Sequence, residues 1–528
     1  MSLLPELEIP APVIDPSADP KVYFDPPLWL QRRTWVLDQL RKHQVRSIIE
    51  LGCGEGALLE VLMEPASSFP TESPPGQDLG AQNERETTMD IHLEHYVGLD
   101  VDPPSIAQAA EVGRPLTEAE IQKMNPWSRP STRWLSMDVE LWEGGLQFLN
   151  SDVAKGAREG WFGRKQWDAI VSAEVVEHLP EDVLDCFLPV TLGVYRPEFL
   201  FLTTPNYNFN QLFSHPDRPN RASGYPDPTG ATDRVFRHHD HKREWTEVEW
   251  LSWCHDGAEA WCYEVEVGGI GQAEEKDPWS RTAAAGKASL TAAFRRRPGG
   301  IATNVLEKCS RALSDAYNRS TNQTQHKLIL RHRYLAHEWA GQPRSSKMIL
   351  GALRDVMQDG GELGFKEGTT MIDEVWLRGD VASACGGMIQ ALFDAVSHYH
   401  GQGKEATSSS EWILNREIEA GTHIWRERFW SWSIVWRAFI KAEPGNNEEA
   451  AAEPTAEDWN PSQDDFDNGA DPEEWQPDPE IADGGWSDGD VGGWAGASWG
   501  GTEDCVTTDW DMNDWDTTPW GTVDPAWV

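Results

Sequence analysis

One short run of the sequence places two carboxylates and an imidazole where they could act together. Glu174, Glu177 and His178 lie in Ser172-Ala173-Glu174-Val175-Val176-Glu177-His178-Leu179-Pro180, at i, i+3 and i+4. On a helix these positions share one face, with Cβ atoms roughly 5–6 Å apart. Two carboxylates so close repel, and one shifts toward protonation unless a cation sits with them. A divalent metal ion is the chemistry such a group suits. The alternative is a solvated acidic helix start, since Glu favours first turns. A second cluster, FRHHDHKREWT over Phe236–Thr246, holds His238, His239 and His241. One of the three would complete a Glu/Glu/His/His set. Mixed oxygen and nitrogen ligation suits Mg²⁺, Mn²⁺, Co²⁺ or Zn²⁺ and does not choose among them.

A different constellation suits a nucleoside-like ligand. Glu50-Leu51-Gly52-Cys53-Gly54-Glu55-Gly56 follows an apolar run, RSIIEL, and precedes an apolar helical pattern. Glycines let the backbone turn sharply and approach a ligand closely. Asp100 ends the next apolar run, YVGLD, where a carboxylate can accept bonds from a ribose cis-diol. The dinucleotide fingerprint is G-x-G-x-x-G. Here the spacing is G-x-G-x-G, and with Glu50 ahead of it and an acid later it resembles the AdoMet-dependent methyltransferase fold. Further cofactor contacts are expected from Met137-Asp138, read as lying after the third strand, and from Ser172 at the mouth of the site.

Four stretches taken together resemble the small-RNA 3′-terminal 2′-O-methyltransferase family of the Hua-enhancer type. They are Phe24-Asp25-Pro26-Pro27-Leu28 with Gln31-Arg32; Leu51–Gly56; Glu174–Leu179; and Thr204-Pro205-Asn206 followed by Phe236–Thr246. The resemblance covers roughly residues 21–298. It implies S-adenosyl-L-methionine as methyl donor and one divalent metal held by Glu174, Glu177, His178 and His241. It implies methyl transfer to the 2′-hydroxyl of the 3′-terminal nucleotide of small RNAs, protecting that end. His238 and His239 stand beside these residues as alternative ligands or as a base. A metal touching both the 2′ and 3′ oxygens would lower the 2′-hydroxyl pKa and select free RNA ends over DNA. Arg32, Arg237 and Lys242 are expected to contact phosphates. Two rival readings are a metal-independent methyltransferase of a small molecule or protein, and a non-catalytic small-RNA-pathway adaptor.

The elements needed to position these residues are legible as apolar runs. Arg46–Leu51, Tyr96–Leu99, Trp167–Val171 and Phe199–Thr203 read as buried strands, with amphipathic stretches such as Leu28–His43 and Leu58–Met63 between them. Two further strands are expected near Tyr263–Val267 and Ala288–Phe294. Alternating β and α predicts a doubly wound, Rossmann-like α/β domain over 21–298 after a flexible N-terminus, 1–20. Residues 64–94 interrupt the pattern and read as an exposed insertion. Residues 299–441 read as a mainly helical region, with Thr422–Ala442 expected as a helix packing several Trp side chains.

Charge divides the chain differently. The formal net charge is −42, from 45 Lys+Arg and 87 Asp+Glu, and −24 of it falls after Lys441, where no basic residue occurs. The stretch 442–528 has too few aliphatic residues to offset the entropy of ordering and reads as a disordered acidic tail. Nine Trp punctuate it, and Trp486, Trp494, Trp499 and Trp520 sit in GW or WG dipeptides. Such dipeptides resemble the hooks by which small-RNA proteins engage Argonaute-type partners, where weak contacts sum through effective concentration. No apolar run approaches the ~20 residues of a membrane span. The N-terminus lacks a basic-then-apolar signal. Seven cysteines without CxxC pairing argue against a disulfide framework or structural zinc. A monomer of the cytoplasm or nucleus, binding small-RNA 3′ ends and no membrane, is the expectation.

Overall fold

The computed structural model describes residues 22–436 apart from 71–89, 125–129, 157, 160–164, 218–223, 275–276, 299–302, 322–325, 360–367, 399–411 and 416–432. The tail and its Trp residues therefore lie outside the described residues, as does the N-terminal segment.

Eight strands form one sheet: β1 (Ser47–Leu51), β2 (His95–Asp100), β3 (Met137–Glu143), β4 (Ala169–Ala173), β5 (Phe199–Pro205), β6 (Tyr263–Ile270), β7 (Ser289–Arg296) and β8 (Lys327–Tyr334). Their spatial order is β6-β7-β5-β4-β1-β2-β3-β8. The five strands from β3 to β5 pair parallel, and β7 and β8 run antiparallel to β5 and β3. All five residues of β1 and all seven of β5 are buried. Strands covered on both faces need no polar side, which is why they read as unbroken apolar runs. One face packs Ile48, Tyr96 and Phe201 against helices α1 (Leu28–Lys42), α2 (Ala57–Met63) and α3 (Pro103–Val112). The other packs Ile49, Leu99 and Leu202 against Glu181–Leu188, α4 (Glu247–Trp261) and Thr303–Thr321. This is the doubly wound, Rossmann-like sheet expected, closed at one edge by the β6–β7 hairpin. Its first strands reverse direction of winding at β1 and β4, where ligands of such sheets bind beyond the carboxyl ends.

The region beyond 299 contributes to this sheet. β8 adds an edge strand beside β3, and its Lys327, Arg331 and Arg333 pair across to Glu143, Glu140 and Asp138 at 3.3, 2.9 and 3.5 Å. Helices Ser346–Asp359, Ile372–Leu377, Asp380–Ala384 and Ile389–His398 then build a separate core with a three-stranded sheet. Among the described residues of this region helix outweighs strand, but within Thr422–Ala442 the described residues Ser433–Trp436 form a strand. Ser433-Ile434-Val435-Trp436 alternates at period two, and Ile434 and Trp436 turn inward, Trp436 stacking on Trp412 at 5.4 Å. Among the described residues, the ends of the supposedly exposed insertion are seated rather than free. Ser67 O accepts bonds from the indoles of Trp134 (3.2 Å) and Trp376 (2.7 Å), and Phe69 packs on the second core. Residues 71–89 of that insertion lie outside the described residues.

Candidate active site

The glycine turn follows β1 directly. Gly52 and Cys53 amides donate to Leu99 O at 2.8 and 3.2 Å, tying the turn to β2. Gly52, Gly54 and Gly56 all take positive φ, +74°, +51° and +90°. A Cβ at Gly52 would sit 2.5 Å from a Val175 methyl, so the turn packs directly on the loop carrying Glu174 and Glu177. A Cβ at Gly54 would meet nothing within 4 Å, so this face of the turn is open to a ligand. Asp100 is buried, its carboxylate accepting from the Gly54 amide at 2.7 Å and the Asp102 amide at 2.9 Å. Glu50 lies beneath the turn and accepts from Tyr96 Oη at 2.5 Å. Burial pushes its pKa up to about 8; the Tyr96 bond opposes the rise and Asp100 adds to it. Ser172, also fully buried, has an Oγ without a hydrogen-bond partner among the described residues. These features fit a nucleoside-bearing cofactor: an open glycine cradle with a carboxylate fixed at the end of the neighbouring strand.

Met137 and Asp138 do not belong to this site. They begin β3 rather than follow it, and Asp138 is in register with His95, the first residue of β2. Asp138 pairs with His95 (3.4 Å) and Arg333. The seven-residue strand carries the chain roughly 20 Å from there to the edge that holds Gly54 and Asp100. What stands at that edge is Glu143-Gly144-Gly145, with the Gly144 amide donating to Asp100 O at 2.8 Å. The glycine pair was the available signal.

The carboxylate–imidazole run is not a helix. Glu174 ends β4 in the left-handed region, φ +56°, and only Val176–His178 form a single 3₁₀ turn before Pro180 stops it. The bend brings Glu177 and His178 together but leaves Glu174 outside the group, whose third member is His241. The Glu177 carbonyl accepts from the Lys242 and Arg243 amides at 2.7 and 3.1 Å, which docks the histidine segment against it. As a result, ligand atoms of Glu177, His178 and His241 all lie within 4.8 Å of one another. Glu177 is buried and its Oε2 accepts from Thr204 Oγ1 at 3.0 Å. Burial and the nearby Glu174 charge raise its pKa.

The two imidazoles are held from behind. His241 Nδ1 lies 2.7 Å from Glu244 Oε1, which leaves Nε2 for coordination, and His178 Nδ1 lies 3.1 Å from Asp240 Oδ2. His178 Nε2 lies 3.9 Å from Glu177 Oε1. A carboxylate on the far nitrogen fixes the ring orientation of metal-binding histidines and raises their basicity. Glu244 is itself fully buried, accepting also from the Arg237 amide (2.7 Å) and Asn210 Nδ2 (2.5 Å). Glu174 stands next to this trio: Oε2 pairs with Arg32 at 2.8 Å, and Oε1 is buried without a hydrogen-bond partner among the described residues. That orphaned oxygen, the buried Glu177 and two back-bonded imidazoles fit a divalent cation. His238 bonds Asp240 through Nδ1 and forms a second group with Asp240 and His241. His239 is in neither group; it is exposed, its ring 5.7 Å from Tyr225.

Arg237 is not placed for phosphate. It is nearly buried, donating to Asn206 O (2.6 Å), Asn210 Oδ1 (3.0 Å) and Ala288 O (3.4 Å), with Glu244 at 3.9 Å. Arg32 is bound to Glu174 and to Ser289 Oγ (2.8 Å). Lys242 is half-buried and Arg243 exposed at the rim. Sequence reasoning missed Asp240 and Glu244, although each sits one and three residues from the histidine it serves or flanks.

Over 285 residues the chain is 26% identical to the small RNA 2′-O-methyltransferase of Arabidopsis thaliana, covering 54% of this chain and 24% of that protein. It is 27% identical over 250 residues to that of Gallus gallus and 28% over 257 to that of Mus musculus, covering 47% and 48% of this chain. The chain resembles the small RNA 2′-O-methyltransferases. It spans about a quarter of the Arabidopsis protein's length, and 50% and 49% of the Gallus and Mus proteins. No family model matches it. The solved small RNA methyltransferase HEN1 aligns at TM-score 0.37 and 23% identity, covering 59% of this chain and 28% of that one.

Proposed function

We propose that the chain transfers the methyl of S-adenosyl-L-methionine to the 2′-hydroxyl of the 3′-terminal nucleotide of a small RNA, with a divalent metal assisting. The observation that carries this is the docking of the Glu177/His178/His241 group onto the glycine turn through Val175. This juxtaposition supports a reading in which a cation held by that group would lie beside the methyl donor. The names of the relatives support the substrate class.

When bound, AdoMet would supply an electrophilic methyl, and a divalent cation would supply Lewis-acid activation of a vicinal diol. Everything else falls to the chain. Gly54 and Asp100 would cradle the donor, and Glu50, bonded to Tyr96, supports the glycine turn from beneath. Glu177, His178 and His241, with Glu174 beside them, would hold the cation. Thr204 orients Glu177, and Asp240 and Glu244 fix the two rings. His238, bonded to Asp240 and with its ring 5.6 Å from that of His241, would accept the departing proton. Fixing both reactants in line is where most of the acceleration would come from.

Periodate tests the reaction. It cleaves a free 2′,3′-diol, so unmethylated RNA loses its terminal nucleoside on β-elimination. RNA incubated with the full chain, AdoMet and Mn²⁺ should keep its length; shortening equal to that of untreated RNA would reject the proposal. For the tail, we propose an Argonaute-type partner engaged by Trp486, Trp494, Trp499 and Trp520. Equal capture of that partner by the full chain and by a 1–442 truncation would reject it.

A further inference from the structure

A run of rings leads out of the proposed metal site. The His178 and His241 rings are 4.9 Å apart, His241 and His238 5.6 Å, His238 and His239 4.5 Å, and His239 and Tyr225 5.7 Å. The inner rings ligate or flank the metal group. The outer two have no part in it: His239 is exposed and Tyr225 half-buried. Tyr225 is nonetheless fixed. It pairs with the buried Phe236 in a short hairpin, Tyr225–Pro226 against Val235–Phe236. The hairpin's turn is tied by Asp227, whose carboxylate accepts from Thr229 and Thr232. A rigid hairpin thus holds an aromatic side chain against an exposed imidazole, one residue from the back-bonding Asp240 and two from His241. Lys242 and Arg243 follow on the same segment, with Arg243 exposed.

Aromatic rings beside cations at the mouth of a ribose site are the chemistry that grips an unpaired nucleobase. We infer that Tyr225 and His239 form the stacking site for the base of the 3′-terminal nucleotide, holding it while its ribose sits over the Glu177/His178/His241 group. The inference rests on the RNA reading above and adds the element that recognises the end's base rather than its diol. Stacking uses a π-face common to all four bases, so the site accepts any terminal base and is indifferent to sequence.

The test is a cycle read by binding. The full chain, with Mn²⁺ and S-adenosylhomocysteine so that no turnover occurs, is titrated against a 5′-labelled single-stranded RNA and the same RNA with an abasic 3′-terminal nucleotide. Wild type should bind the abasic RNA at least ~5-fold more weakly, the lower bound of one stacked base. The Tyr225→Ala/His239→Ala double variant should bind both RNAs within about twofold, and Tyr225→Phe should keep the wild-type ratio. Indifference of wild type to the terminal base overturns the inference without reference to any variant. So does a double variant that weakens both RNAs alike and keeps the ratio, because that is a structural effect. Failure of wild type to bind either RNA at low salt overturns the RNA reading as well. An unmoved ratio with RNA still bound removes only the stacking site.

Discussion

Replacing Glu244 isolates the back-bonding on which the proposed metal site depends. Its carboxylate is fully buried and takes three bonds, from His241 Nδ1, the Arg237 amide and Asn210 Nδ2, with the Arg237 guanidinium 3.9 Å away. Burial alone would raise its pKa, but the His241 bond and the Arg237 charge outweigh burial and hold it below the usual range. Glu244→Gln keeps the shape. One carbonyl oxygen must then serve both His241 and the Arg237 amide, while the new amide faces Asn210, another donor. Arg237 loses its nearest counter-charge, with Glu174 and Glu177 acting on it from farther off. Loss of a carboxylate behind a metal-binding histidine typically weakens metal affinity ~10–100-fold, or about 1.4–2.8 kcal/mol. The uncompensated Arg237 should cost about 3 kcal/mol of stability, tempered by its three remaining carbonyl and amide bonds. Mn²⁺ titration followed by electron paramagnetic resonance reads the first figure, and a urea melt in chelator reads the second. Glu244→Ala should be worse on both counts. A Glu244→Gln protein with the stability and Mn²⁺ affinity of wild type would refute the back-bonding argument.

Further outcomes are expected. Gly54→Ala, whose Cβ points into open space, should cost only about 1–2 kcal/mol for the left-handed backbone yet weaken AdoMet binding, as isothermal titration would report. Gly52→Ala meets Val175 at 2.5 Å and should instead destabilise the fold itself, visible as a lowered melting temperature. Glu50 has a pKa near 4.5 unfolded and about 8 folded, so the native state binds the extra proton between those values and stability falls as pH rises through that window. Glu50→Gln fixes the neutral form; its stability relative to wild type should rise from pH 5 to pH 9 by up to ~4 kcal/mol, and parallel urea melts at the two pH values would contradict this. Arg237→Ala should unfold more readily because three buried acceptors lose their donor, whereas Lys242→Ala should melt normally and bind RNA less tightly with a shallower salt dependence.

Much of the site was legible from residue types, and less from their local geometry. β1 and β5 were plain because strands buried on both faces are mostly apolar, SIIEL and FLFLTTP, and the glycine turn because three positive φ values in five residues need three glycines. The Glu174/Glu177/His178 group was legible as chemistry but not as shape. Helical spacing suggested a shared face, while Pro180 and the left-handed Glu174 replace the helix with a bend. Asp138 misled because a carboxylate near an apolar run reads the same at either end of a strand, and only the strand's extent to Glu143 shows which end it occupies. Arg237 misled for a related reason: neighbours of a ligand in sequence alternate in direction, and this one turns into the protein toward Asn206. Asp240 and Glu244 were invisible until the rings had orientations. Ser433–Trp436 reads as either period when surrounded by aromatics, and pairing with two other strands decided it.

Methyl transfer itself tests the central claim most directly. The full chain is given AdoMet carrying a labelled methyl and a synthetic small RNA ending in either a 2′-hydroxyl or a 2′-deoxy nucleotide, each with Mn²⁺ or with EDTA. Label should enter only the 2′-hydroxyl RNA, only with the metal present, and be lost with the terminal nucleotide on 3′ exonuclease digestion. Label in the 2′-deoxy RNA, or transfer undiminished by EDTA, would contradict the account.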